Sequence, residues 1–125
     1  MEEKKKRGMA RDLALKLLDI VNDVKDALDD LMETMFIIYQ PKNYVGALNT
    51  NASFTVVAMN VNEYLWQRSD DDGLTWGTST ASGYNTNTLS FKATQSTYTR
   101  KWRCQLTDSD NNIIYTDVVG VYLPT

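Results

Sequence analysis

The chain has 125 residues, with 13 Lys and Arg against 16 Asp and Glu, a formal net charge of −3, no histidine and one cysteine. That length leaves room for one small domain beside an extended element, and the acidic balance lacks the basic footprint of a nucleic-acid binder. The missing histidines remove the commonest general base, metal ligand and partner of a nucleophilic Ser or Cys, so the composition argues against an enzyme.

The first predicted element is a helix. Ala10, Ala14, Leu17, Val21, Val24, Leu28, Leu31, Met35 and Ile38 recur at steps of four and three, which keeps one apolar seam on a single face and predicts a helix running to about Ile38. Ala14, Val21, Leu28 and Met35 take heptad position a, and Leu17, Val24, Leu31 and Ile38 take d. Lys16, Asp19, Asp23, Asp26 and Glu33 occupy the solvated face, and no Gly or Pro follows Gly8 to interrupt it. Leu13 and Ile20 at g, with Leu18 and Met32 at e, make the seam wider than a two-stranded zipper needs. Together with β-branched d residues this favours three or more strands. The expectation is therefore residues 1–40 as an oligomerisation segment, a parallel trimeric coiled coil with Leu17, Val21, Val24, Leu28, Leu31, Met35 and Ile38 at its interface. An amphipathic helix that folds back on its own domain is the other reading.

Lys4 to Arg7 follow Glu2 and Glu3 and read as a solvated helix start. The charged segment Met1 to Gly8 is followed by no apolar run that could form a signal-peptide core or span a bilayer, so no signal peptide and no membrane insertion are expected of this chain. Cys104 makes no internal disulfide, which fits a product folded in a cytoplasm.

Beyond Pro41 the period changes to two. Phe54, Val56 and Ala58, then Tyr64 to Arg68, Leu89 with Phe91 and Ala93, Trp102 with Cys104 and Leu106, and Val119 with Val121 and Leu123 each place one face inward and one into water. The stretches between them, such as 70–73, 79–88 and 108–112, are rich in Gly, Asn, Asp, Ser and Thr, the residues of tight turns. The fold class that follows is α plus all-β: a long N-terminal helix, then residues 41–125 as a seven-stranded antiparallel β-sandwich. Its core should contain Trp66, Trp76, Trp102 and Cys104. Cys104 reads as a small buried hydrophobe, the alternative being a reactive thiol.

Trp66 in Tyr64-Leu65-Trp66-Gln67, followed by Trp102-Arg103-Cys104 and then Leu106-Thr107-Asp108, resembles the C and F strands of an immunoglobulin-like domain. The run Trp66-Gln67-Arg68-Ser69-Asp70-Asp71-Asp72-Gly73-Leu74-Thr75-Trp76 is similar to a motif of Ig-like modules in bacterial surface and phage proteins. The resemblance spans about residues 41–125. It departs from the antibody pattern twice: Val56 stands where the B-strand cysteine would face Cys104, and Trp102 replaces the tyrosine whose hydroxyl ties the E–F corner.

Ser69-x-Asp71-x-Gly73-x-Thr75-Trp76 also resembles the Asp-box of sialidases and related propellers. One copy without a propeller reads as a hairpin in which Gly73 permits the turn, Asp71 accepts turn amides and Trp76 packs the returning strand. A Ca²⁺ loop starting at Asp70 would need Glu where Ala81 stands, so neither metal nor cofactor is expected. Asp108 and Asp110 lie in a turn where solvent should keep both carboxyls near their ordinary pKa.

Binding remains. The 79–88 and 95–99 segments mix Tyr with Ser, Asn, Thr and Gly, the chemistry of paratopes and equally of ordinary solvated turns. The candidate ligand residues are Tyr84, Asn85, Asn87 and Tyr98, with Asn111, Asn112 and Tyr115 on the hairpin of the last strands. Joined to the resemblance, they suggest a virion-associated or bacterial-surface display protein that presents variable loops to a surface glycan or protein. A structural virion decoration or spacer with no external ligand is the alternative.

Overall fold

A computed structural model describes residues 2–125, except the side chains of Glu3, Lys4 and Leu31. Helix α1, Glu2–Glu33, is a single uninterrupted element of 32 residues. Its seam residues Leu13, Leu17, Leu18, Ile20, Val21, Val24 and Leu28 are exposed in the single chain. The expected seam residue Leu31 has its side chain outside the described residues.

The helix stops one turn earlier than its heptad predicts. Thr34 closes the last turn, its amide and hydroxyl both donating to the Asp30 carbonyl. Phe36–Tyr39 then forms strand β1, antiparallel to β4 at Val57–Met59. Two expected interface residues thus leave the helix. Met35 is buried in the sandwich core, and Ile38 falls where the β1–β4 register shifts. A run of Phe, Ile, Ile and Tyr fits a pleated surface better than a helix, and steps of three and four cannot be told from period two over so few residues. The compact β unit accordingly begins at Met35, not Pro41.

Within that unit, β3 (Asn51–Thr55) pairs antiparallel with β7 (Thr88–Lys92), Phe54 opposite Leu89. A second, larger sheet runs β2 (Tyr44–Val45), β10 (Val119–Tyr122), β8 (Lys101–Thr107), β5 (Glu63–Ser69), β6 (Gly77–Thr78), with β9 (Ile113–Tyr115) also on β8. The β2–β10 pair is parallel, a departure from the all-antiparallel expectation.

Ten strands stand among the described residues where seven were expected. β1, β2, β6 and β9 lie outside the five alternating runs of the sequence, and the first of those runs forms two strands. Val56 separates β3 from β4, and residues 116–118 separate β9 from β10.

Period-two burial welds the sheets together. Ala52 and Phe54 of β3, with Val56 just beyond it, face Trp66, Trp102, Cys104, Leu106, Val119 and Val121 of the larger sheet, all of them buried. Phe54 lies 6.2 Å from Trp66 and 5.5 Å from Trp102 between ring centroids, and Phe91 stacks on Trp102 at 4.8 Å. Each large side chain removed from water contributes about 1.5–3 kcal/mol. The Trp66 indole nitrogen donates to the Thr86 carbonyl at 2.8 Å, so its one polar atom is satisfied.

Candidate binding face

The alternation that buries Trp102, Cys104 and Leu106 turns Arg103 and Gln105 to the opposite face of β8. Cross-strand register then fixes their neighbours, with Gln67 of β5 opposite Arg103 and Tyr115 of β9 opposite Gln105. These four side chains are linked. Arg103 Nε donates to Gln67 Oε1 at 2.8 Å, and Gln67 Nε2 and the Tyr115 hydroxyl both donate to Gln105 Oε1 at 3.4 Å.

The guanidinium is held between two rings. Its carbon lies 4.0 Å from the Tyr115 centroid and 4.4 Å from that of Trp76. Each ring face attracts the cation, and weakly hydrated arginine tolerates the stacking better than lysine would. Among the described residues the two terminal Nη nitrogens of Arg103 have no hydrogen-bond partner. The arrangement presents a charged, planar donor edge with its orientation fixed.

Trp76 reaches this face through the Asp-box turn. The Ser69 hydroxyl donates to Asp71 Oδ1 at 2.7 Å and accepts the Gly73 amide at 2.7 Å. Asp71 also accepts the Thr75 amide at 2.8 Å and the Thr75 hydroxyl. Asp72 and Gly73 take positive φ values of 63° and 88°, a backbone that glycine adopts without strain. Hydrogen bonds from the Thr75 hydroxyl and amide, then from Ser69, hold the Asp71 carboxyl down at about 2. The turn therefore behaves as the motif implied, but Trp76 does not. Expected in the core, it lies outside the buried cluster and covers Arg103 on the outer face. An open cleft of about 360 Å³ adjoins it, with Arg68, Asp70 and Asp71 in the walls. Asp70 Oδ1 pairs there with Arg68 at 3.3 Å and Arg100 at 3.0 Å.

The seven candidate ligand residues are dispersed. Tyr84 lies beside β5, where its carbonyl accepts the Trp66 amide, whereas the Asn87 carbonyl accepts the Val56 amide just beyond β3, and Asn85 falls between them in the chain. Tyr98 lies on a 3-10 turn, Gln95–Thr99, and packs against the core. Its hydroxyl donates to the Gly46 carbonyl at 2.8 Å, tying the 95–99 turn to the segment that follows β2.

Asn111 and Asn112 cap the β8–β9 hairpin. Asp108 accepts the amides of Asp110 and Asn112 and the Asn112 side-chain nitrogen at 2.8–3.0 Å. The Asn112 side chain, first among these donors, lowers the Asp108 pKa, which corrects the expectation of an ordinary value. Only Tyr115 reaches the aromatic–arginine stack. Sequence reasoning missed Arg103, Gln67 and Gln105, although the alternation of Arg103 and Gln105 with Trp102, Cys104 and Leu106 was there to be read.

Cys104 is fully buried, and burial pushes its thiol up to about 12, so it is a core residue and not a nucleophile. Among the described residues no group of three or more Cys, Asp or Glu side chains is placed to hold a metal ion, and no helix is long and apolar enough to cross a membrane.

Solved structures resemble the β unit in shape. Domain D1 of Duf (Kirre) matches with a TM-score of 0.52 at 12% identity, over 73% of this chain and 97% of that one. The sandwich is immunoglobulin-like. A chain of the Titin M10–Obscurin-like 1 Ig complex matches with a TM-score of 0.50 at 11% identity, over 72% of this chain and 93% of the other. At such identity the likeness is one of fold. No protein-family model and no curated protein matches the sequence.

Proposed function

We propose that this chain is a non-enzymatic binding protein whose Ig-like sandwich takes a carboxylate-bearing ligand on the outer face of β5, β8 and β9, with α1 gathering several copies. The observation that carries the reading is Arg103, clamped between Trp76 and Tyr115 with both Nη nitrogens unpaired among the described residues. A guanidinium already oriented by stacking loses little freedom on forming a bidentate pair with a carboxylate. Copies joined through the helix would raise a weak contact by avidity. Display on a virion or a bacterial surface, facing an acidic surface glycan or protein, is the setting we propose for such an assembly.

The test is binding to acidic and neutral bacterial-surface polysaccharides, read by titration calorimetry. Acidic polymers should bind the wild type, lose most of their affinity for Arg103→Ala and regain little with Arg103→Lys, which keeps the charge and loses the fork. Equal binding by all three proteins would exclude this face. Absence of binding to surface polymers or host cells, with assembly intact, would favour the spacer.

A further inference from the structure

We propose that α1 packs against a second copy of itself running in the opposite direction. The inference rests on reading α1 as a self-associating helix and adds its polarity. The width of the seam favours the expected parallel trimer, whereas the charge along α1 favours the other polarity. Residues 2–16 carry six basic and three acidic side chains, a net +3, whereas residues 17–33 carry one basic and six acidic, a net −5. The described members of both sets are exposed.

At its C-terminal end this distribution opposes the helix's own dipole, which favours bases in the last turn. The last turn of α1 has no basic residue. Side by side and parallel, the acidic halves of two copies would lie against each other. Antiparallel, each acidic half meets a basic half, and the two dipoles oppose.

Seam size points the same way. Ala10 and Ala14 sit at the N-terminal end of the seam and Leu28 and Leu31 at the other. Parallel copies stack alanine on alanine and leave an undersized layer. In the antiparallel register that sets Leu17 opposite Leu28, Ala14 stands opposite Leu31 and Val21 opposite Val24, and small positions face large ones. Leu13, Leu18 and Ile20 border the same contact. The two β units would then leave the helix pair at opposite ends, because each follows its own helix C-terminus.

Spin labels on the full chain decide the polarity. Cys104 is buried and stays unlabelled. A label at Asn22→Cys, near the middle of the overlap, should give a short intermolecular distance. One at Glu33→Cys should give about 30 Å, because Glu33 lies opposite Asp12 and 21 residues of helix rise separate the two labels. Association should also weaken as salt is raised, since screening removes the attraction between unlike halves. A short distance at Glu33→Cys, or association that strengthens with salt, would overturn the antiparallel pair and leave self-association standing. A monomeric mass with no dipolar coupling at either site would overturn self-association as well. Neither result bears on the Arg103 face, which is tested by ligand binding.

Discussion

Thr116 lies where the last strand breaks, and its hydroxyl fills a gap in the ladder. Cys104 is opposite Trp66, yet the Trp66 amide bonds to the Tyr84 carbonyl and the Trp66 carbonyl accepts Ser79, so neither is turned toward β8. The Cys104 amide and carbonyl face the other side. There the Thr116 amide donates to the Cys104 carbonyl at 3.0 Å, while the Cys104 amide donates to Thr116 Oγ1 at 2.8 Å inside the protein. Thr116→Val keeps the side chain's shape and removes the acceptor, leaving a buried N–H unpaired at a cost of about 1–3 kcal/mol. For a unit of this size each kcal/mol lowers the melting midpoint by about 4–8 °C. All three tryptophans, Trp66, Trp76 and Trp102, belong to the β unit, so urea unfolding followed by their emission reads this unit directly. Thr116→Ser retains the oxygen and should recover most of the loss. A Val variant within about 0.5 kcal/mol of wild type, or a Ser variant as weak as Val, would refute the assignment of Oγ1 as the acceptor that completes the ladder.

Three further outcomes follow from the same geometry. Asp71 titrates near 2 in the fold against an ordinary 3.8, so its ionised form stabilises the turn above about pH 4, and that contribution is lost as pH falls toward 2. Carboxyl NMR should show the low midpoint, and Asp71→Asn should flatten the acid limb of the stability profile. The Cys104 thiol, pushed up to about 12 by burial, should ignore a disulfide reagent at pH 8 in the native protein and react at once in denaturant. Gly83 has φ of +80°, and a Cβ there would collide with the Thr88 carbonyl oxygen. Gly83→Ala should therefore cost about 1–3 kcal/mol, measured by the same urea titration, with movement of the 79–88 segment.

What the sequence determined by itself was whatever repeats over a few residues. The seam of α1 from Ala10 to Met32, the inward alternation of Trp102, Cys104 and Leu106, and the Asp-box bonds among Ser69, Asp71, Gly73 and Thr75 all join positions within one element or one turn. Their geometry follows from helix and strand periods and from turn chemistry. Tertiary structure decided the rest. Phe36–Tyr39 became a strand because residues 57–59 offered it a partner. Tyr98 tied its turn to a distant segment because Gly46, 52 positions away, supplied a carbonyl. Trp76 left the expected core because Arg103 gave its ring a cation on the outer face. Gln67 and Arg103 are 36 residues apart, and only the β5–β8 register makes them neighbours. Contacts of that separation depend on which strands pair and in what register, and a local pattern constrains neither until the core has closed.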